Sequence, residues 1–282
     1  MNKLCTCATR KERKDIKSIE VCKEEEKEAL ISFLKQNLYY HTFILADLYH
    51  YGFDKTYQQI YVEKESGKIR AVFLRYFTNL ILAGDLNGEA CREIWDIVQY
   101  QVNTVMGAAN LVKRFAEENA EIQGGPVTKR LYILENQVQL TDVEEQVYVA
   151  REKDIDRVHE FLMTNPEFRS IYKEKEMIRN RITNAEGEHL YFIADDEIMA
   201  HANTAASTPW ACMLGGVAVK KTCRHQGLGH QIVSAVAKRT LENGQILSVF
   251  SECPEKENLF CDLGFQKIGD WGVLNVEKNE RE

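Results

Sequence analysis

The sequence lacks the features that mark metal, secreted and membrane proteins. Its eight cysteines include no C-x-x-C pair, and Cys5 and Cys7 stand without a histidine or cysteine cluster, so we expect no metal site. No run of about 18 apolar residues occurs, and the first residues lack the apolar segment of a secretory signal. We therefore expect no membrane partner, reduced thiols and a cytoplasmic location.

The sequence also has no excess of positive charge. Its formal net charge is −7, from 36 basic and 43 acidic residues. Nucleic acids attract net-basic surfaces, so this balance argues against a nucleic-acid partner. The oligomeric state stays open.

The length of 282 residues allows two modest domains, and the hydrophobic pattern divides the chain into two α/β halves. We place the boundary in the polar, acidic segment Thr141–Gln146, between a domain at 1–140 and a domain at 147–282. Both halves follow the order strand, helices, paired strands, helix, strand, helix, strand. This shared order indicates either an internal duplication or the general similarity of α/β domains.

Some predicted elements have definite limits. The periodicity predicts a helix from Glu24 to Asp47 and, between 227 and 243, a long helix ended by Gly244. Asn79 is predicted to divide the apolar run at 69–83 into two strands, and residues 265–276 are predicted to form two more.

The clearest chemical signal is the run GGVAVKKTCRHQGLGH at residues 215–230. A buried strand leads into a short turn, and a helix begins among the glycines. The unpaired amides and the dipole of a helix start favour an anion. Gly227 and Gly229 let the main chain approach a phosphate closely, and Arg224 adds positive charge. The run therefore predicts a pyrophosphate site.

Other readings of this run fit less well. A P-loop would end in Gly-Lys-Ser or Gly-Lys-Thr, and a dinucleotide-binding fold would show G-x-G-x-x-G; neither pattern is present. A purely structural glycine turn would explain Gly227 and Gly229 but leaves Arg224 unexplained.

The pattern V-A-V-x-x-x-x-R-x-x-G-x-G before a long helix resembles the hallmark of the GNAT acyltransferase superfamily. Further along, PEKENLFCDLGF at 254–265 resembles the second signature of that family, at a typical separation of about 30 residues. The resemblance covers residues 148–276. It implies an α/β fold with a mixed, splayed sheet flanked by helices and, for the whole chain, two GNAT-like domains in tandem.

The resemblance also implies a function: an acyl-coenzyme A-dependent N-acyltransferase, expected to use acetyl-CoA. A small amine or a peptide amine would attack the thioester directly. The alternatives are a non-catalytic acyl-CoA sensor and a binder of another phosphate ligand. The residues implied to bind the cofactor are Val217, Ala218, Val219, Arg224, His225, Gln226, Gly227, Leu228, Gly229 and His230.

The sequence departs from the family pattern at the catalytic positions. Phe260 stands where the family often has the tyrosine that protonates the leaving thiolate, and Cys253 stands at the position of an asparagine. The strand ending at Val219 carries no carboxylate. Glu252 is the nearest carboxylate, either as a general base or as a solvated glutamate. His201 is either a base or a hydrogen-bonded structural histidine.

The first half has no R-x-x-G-x-G pattern, and Gly107 before its second helix is isolated. We therefore interpret this half as a GNAT-like domain without a phosphate loop that shapes the acceptor site. The aromatic runs at 39–41 and 49–51 either line that site or pack internally. Cys253 and Cys261 are expected to be small packing residues rather than nucleophiles.

Overall fold

The computed structural model describes residues 18–53 and 55–277, which form one twelve-stranded sheet flanked by eight helices. None of the helices in these ranges combines the length and the apolar character needed to cross a membrane. The strands are β1 (Ile19–Val21), β2 (Gln58–Glu65), β3 (Lys68–Tyr76), β4 (Asn79–Gly84), β5 (Thr104–Ala108), β6 (Val127–Leu134), β7 (Tyr148–Val149), β8 (His189–Ala194), β9 (Glu197–Ala205), β10 (Ala211–Val219), β11 (Ile246–Ser251) and β12 (Gln266–Asn275).

The helices are α1 (Lys27–Lys35), α2 (Leu38–Tyr51), α3 (Gly88–Val98), α4 (Ala109–Glu118), α5 (Ile155–Met163), α6 (Glu176–Thr183), α7 (Leu228–Glu242) and α8 (Pro254–Asp262). The long helix α7 covers the strands of the second half and buries Ile232, Val233 and Val236. These positions lie one and four residues apart, which is the spacing of a single helix face.

The order of the strands shows that the two halves share their sheet: β1-β2-β3-β4-β5-β12-β6-β11-β10-β9-β8-β7. The last strand, β12, lies between β5 and β6, where Trp271 is opposite both Ala108 and Lys129. Strand β6 of the first half pairs in turn with β11 of the second. Each half therefore supplies a strand that completes the other, while the division into 1–140 and 147–282 stays a prediction.

The predicted boundary segment packs against the surface of α7. The amide of Thr141 donates to Ser234 Oγ over 3.1 Å, and the amide of Glu144 donates to Gln231 Oε1 over 2.9 Å. Leu140 and Val143 add apolar contacts with the core beneath. The connection between the halves is thus docked on α7 from Leu140 to Glu144.

Two elements predicted from the sequence differ from the elements observed in the structure. The helix expected from Glu24 to Asp47 is divided at Asn37, where the backbone leaves helical geometry and α2 starts afresh. The buried ring of His41 stabilises this break, because its Nδ1 is hydrogen-bonded to the carbonyl oxygen of Leu34 at the end of α1 (2.8 Å).

The two strands expected at 265–276 are one strand, β12, whose pairing register with β6 shifts between Lys267 and Gly269. A bulge absorbs an extra residue without ending the strand. The division at Asn79 is confirmed, since β3 ends at Tyr76 and β4 begins at Asn79. Helix α7 ends at Glu242, and Gly244 follows with a φ of +74°.

Candidate functional site

The site begins where β10 and β11 separate. The two parallel strands pair only between Ala211 and Met213 on β10, although β10 continues to Val219. Beyond Met213 the edge of β10 is no longer paired with β11. A cavity of about 640 Å³ opens along this edge.

A bulge lies in β10 beside this gap. Gly215 is opposite Asn203 and Ala218 is opposite His201, so Gly216 and Val217 together face a single residue of β9. Gly216 has a φ of +55°, a left-handed conformation that favours glycine. A Cβ there would overlap Asn203 Oδ1. The bulge therefore requires glycine at position 216 for both its conformation and its space.

A pair of buried histidines supports the bulge from behind. His201 Nδ1 is hydrogen-bonded to the carbonyl oxygen of Gly216 (2.8 Å), and its Nε2 lies 3.0 Å from His189 Nδ1. Because a carbonyl oxygen only accepts, Nδ1 of His201 carries the proton, and His189 Nδ1 donates to the free Nε2 of His201. His189 Nε2 is then an unprotonated nitrogen, buried without a partner among the described residues.

This arrangement keeps both imidazoles neutral. Burial lowers the pKa of His201 to about 4, despite the favourable hydrogen bond to Gly216. Burial, together with the charge that His201 would carry, lowers the pKa of His189 well below its usual value. His201 has both ring nitrogens occupied and does not line the cavity, so the geometry supports the structural alternative over the base.

We expect the His201→Gln variant to lose the part of the acid sensitivity of folding that His201 contributes, while His189 keeps its own part. Folding keeps His201 neutral, so its contribution is fully present above the unfolded pKa of 6.5 and declines as the pH falls toward about 4. Between pH 8 and pH 5 the wild-type protein should lose about 2 kcal/mol of unfolding free energy through this group. Urea unfolding of both proteins at the two pH values measures the difference.

The control is His230→Gln, because His230 is partly exposed and faces Asp262 at 3.4 Å. Its pH dependence should follow that of the wild type. If His201→Gln shows the same acid sensitivity as the wild type, His201 is not held neutral by the fold.

The predicted phosphate loop follows β10 directly. After a short turn at Lys221–Cys223, His225 and Gly227 take left-handed conformations with φ values of +60° and +81°. Helix α7 then starts at Leu228 with no side-chain cap and no acidic residue in its first turn. Its first amides are therefore free to bind an anion at the mouth of the cavity.

Arg224 lies at the edge of this loop. Its Nε donates to the carbonyl oxygen of Val219 over 3.3 Å, which holds the exposed guanidinium group beside the end of β10. Lys221 is exposed nearby, and no carboxylate pairs with Arg224 among the described residues. The loop thus places the charge of Arg224 at the same cavity as the unpaired amides of α7.

The structure brings nearly all of the predicted cofactor-binding residues around this single cavity; only Gln226 is not part of its wall. The Gln226 side chain instead reaches back to the carbonyl oxygen of Thr222 (3.4 Å). The predicted residues that line the cavity are Val217, Ala218, Val219, Arg224, His225, Gly227, Leu228, Gly229 and His230.

Three polar residues of the cavity wall were not found from the sequence. Asn165 and Glu167 come from the connection after α5, and Lys256 comes from α8. Glu167 and Lys256 form an ion pair. No local pattern marks these positions, because they reach the cavity only through the packing of distant segments.

Of the residues considered for acid and base chemistry, one lines the cavity and the others lie outside its wall. Phe260 lines the cavity and is 2% exposed, with its ring packed against Phe265 at a centroid distance of 5.4 Å. Glu252 is outside the cavity wall, in an ion pair with Lys129 at 2.6 Å. Cys253 and Cys261 do not line the cavity either.

Comparisons with known proteins agree with this geometry. Residues 143–275 match the family model described as an acetyltransferase (GNAT) domain. No curated protein matches the sequence of the chain. Among solved structures, a tandem GNAT protein from the clavulanic acid biosynthesis pathway is 9% identical with a TM-score of 0.59, and the match covers 93% of this chain and 100% of that one.

Two further structures are similar over nearly their whole length. A GNAT-family acetyltransferase from Colwellia psychrerythraea is 14% identical with a TM-score of 0.56, over 92% of this chain and 99% of its own. A Drosophila protein is also 14% identical, with a TM-score of 0.63, over 92% of this chain and 98% of its own. At such low identity these likenesses establish the fold alone.

The family model identifies a GNAT acetyltransferase domain at residues 143–275, a little less than half of the chain. For the chain as a whole, the likeness to solved tandem GNAT structures shows the fold. The predicted α/β fold, with two GNAT-like halves in tandem, is confirmed.

Proposed function

We propose that this protein is an acetyl-CoA-dependent N-acetyltransferase that acts on an amine in the cytoplasm. The observation that carries the proposal is the cavity along the free edge of β10, which has a bulge at one end and the start of α7 at the other. Acetyl-CoA has a thioester, a long flexible arm and a pyrophosphate in that order. These three parts match the bulge, the free edge of β10 and the start of α7, respectively. The family description supports acetyl as the transferred group.

In this proposal the pyrophosphate binds the first amides of α7 and the guanidinium group of Arg224. The pantetheine arm extends along Val217 and Val219 as an added strand, bonded through the main chain. The thioester carbonyl then reaches the bulge at Gly216 and Val217. There the extra residue supplies an amide that can stabilise the oxyanion of the tetrahedral intermediate.

The transfer itself needs few side chains. The lone pair of the neutral amine attacks the carbonyl carbon, the carbon–sulfur bond breaks, and its electron pair leaves with sulfur. The amine proton is released, so the products are an amide and the thiol of coenzyme A. Phe260 has no proton to give, and a thiol with a pKa near 8.5 leaves readily as a thiolate that solvent protonates.

We expect Arg224→Glu to weaken the binding of acetyl-CoA by about tenfold or more, because the change removes a charge-assisted contact and adds repulsion. Isothermal titration of acetyl-CoA into each protein measures this effect. Arg224 is exposed, and among the described residues its side chain bonds only to the carbonyl oxygen of Val219, so the variant should fold normally.

The matched control is Arg114→Glu, which makes the same charge change at an exposed position of α4 in the first half. Its affinity for acetyl-CoA should equal that of the wild type. Equal affinity in Arg224→Glu and Arg114→Glu, or no binding by the wild type, would refute the proposed cofactor site.

The second candidate function is a non-catalytic acyl-CoA sensor. Phe260 in the position of the usual acid, and the lack of a carboxylate on β10, favour it. A turnover assay separates the two functions, with the release of free thiol from acetyl-CoA measured for a series of amines. If any amine gives release, and Gly227→Trp abolishes it, the protein is not a pure sensor. A Cβ at Gly227 meets no atom within 4 Å, but the φ of +81° strains any residue with a side chain, so the substitution disturbs the loop rather than the core.

A further inference from the structure

A second cavity, of about 460 Å³, lies where the two halves meet. Helix α2 and β3 of the first half form one wall, and α6 with the segment after β9 forms the other. Volumes of this order suit a small organic ligand rather than a folded partner. The residues that matter here are Asp47, Tyr51 and Tyr76 from the first half and Arg181, Glu186 and Ala205 from the second.

The cavity carries one carboxylate, that of Asp47, without a partner cation in the part of the chain that the structure describes. Asp47, half-buried on α2, has no hydrogen bond or ion pair to its carboxylate among the described residues. Burial, reinforced by the negative charge of Glu186, raises the pKa of Asp47 to about 8. The cavity's own cation, Arg181, is engaged elsewhere, since it donates to the Tyr172 hydroxyl over 2.9 Å and lies over that ring. A bound cation would relieve the cost of ionising Asp47.

The wall beside Asp47 is aromatic. Tyr51 stacks on Tyr76 with ring centroids 5.5 Å apart, and Tyr57 packs edge-on against both. Burial, together with the neighbouring Tyr76 hydroxyl and Glu186 carboxylate, raises the pKa of Tyr51, so the ring stays neutral. The carboxylate can bind an ammonium group, and the flat neutral wall beside it can pack against an aromatic or apolar group of the same ligand.

A chain of hydrogen bonds connects the wall of this cavity to the bulge in β10. Arg181 bonds to Tyr172, and the Tyr172 hydroxyl donates to Asn203 Oδ1 over 2.7 Å. Asn203 is opposite Gly215 in the ladder. Ala205, on the cavity wall, follows Asn203 by two residues, about 7 Å along the strand. An acceptor bound in this cavity therefore lies on the far side of Asn203 from the bulge that is proposed to hold the thioester.

Resting on the acetyltransferase function proposed above, we propose that this cavity binds the acceptor as a primary ammonium on an aromatic or apolar body, with Asp47 as its counter-ion. The first half of the chain thus supplies the charge and the aromatic wall that select the acceptor. The size of the cavity favours a small molecule over a peptide.

The test uses the full-length protein without acetyl-CoA, so that it does not depend on turnover. Benzylamine and the neutral benzyl alcohol are titrated into the wild type, Asp47→Asn and Asp96→Asn, and binding is measured by isothermal titration. Asp47→Asn keeps the shape of the side chain, and the Asp47 carboxyl is already largely uncharged at neutral pH in the free protein, so the variant should fold as stably as the wild type. Asp96→Asn makes the same change at an exposed position of α3.

We expect benzylamine to bind the wild type and Asp96→Asn with equal affinity. Its affinity for Asp47→Asn should be lower by about tenfold or more, which is the effect of losing a hydrogen bond to a charged group. Benzyl alcohol should bind weakly and without preference among the three proteins. Equal benzylamine affinities, or no saturable binding by the wild type, would overturn the assignment of the cavity. Either result leaves the cofactor site intact, because acetyl-CoA binding is measured separately with Arg224→Glu.

Discussion

Replacing Gly216 with alanine should lower kcat/KM for acetyl transfer by about a hundredfold, the scale expected when reacting groups are displaced by about 1 Å. The φ of +55° strains any residue with a Cβ, and that Cβ would overlap Asn203 Oδ1 and lie 3.0 Å from the Tyr172 hydroxyl. The bulge must shift to relieve these contacts, and its amides then move away from the thioester. Free-thiol release with the best acceptor of the amine screen measures the loss.

Binding of acetyl-CoA by Gly216→Ala should be affected much less, because the phosphate loop begins only after Val219. The neighbouring substitution Gly215→Ala is the matched control. A Cβ at Gly215 meets Asn203 Nδ2 at 3.5 Å, which is an ordinary contact, and the backbone there is not left-handed. Near-wild-type kcat/KM in Gly216→Ala, or an equal loss in Gly215→Ala, would show that the geometry of the bulge does not govern catalysis.

Expressing the halves separately should abolish folding of both. A fragment of residues 141–282 lacks β6, so β11 loses one neighbour and β12 loses both of its neighbours. Buried residues of the exchanged strands, Leu131 on β6 and Trp271 and Leu274 on β12, would then be exposed to water. Co-expression of 1–140 with 141–282 should restore a complex that binds acetyl-CoA.

Circular dichroism, thermal melting and size-exclusion chromatography measure this outcome. As a control, the intact protein can be nicked by a protease site inserted beside Val138, which is 87% exposed in the connection after β6. The two pieces should then elute together and melt as one unit. A fragment of 141–282 that melts cooperatively and binds acetyl-CoA by itself would show that the second half is autonomous.

The phosphate loop could be predicted from the sequence because its determinants are local. A buried strand, a turn with Arg224 and a helix that starts after Gly227 follow one another within about 15 residues, and helix starts bind anions by their own backbone geometry. The structure has the strand, turn and helix in that order. The family signature therefore predicts a coenzyme A thioester from local sequence alone, and this stays a prediction.

The acid–base residues could not be settled in this way. The sequence singled out Glu252 as the nearest carboxylate along the chain, yet the structure pairs it with Lys129 outside the cavity. Glu167 and Lys256, which do line the cavity, are 89 positions apart and meet only through the packing of α8 against the connection after α5. Proximity along the chain is a poor guide where a site is assembled from several elements.

The sequence by itself determined the fold class, the GNAT signature and the position of the loop after β10, because short-range patterns specify strands, turns and helix ends. Only the tertiary structure decided that β6 and β12 cross between the halves, that His189 and His201 support Gly216, and that Asp47 faces Glu186 in a cavity between the halves. These features depend on contacts between residues far apart in the chain, and such contacts leave no local periodicity in a single sequence.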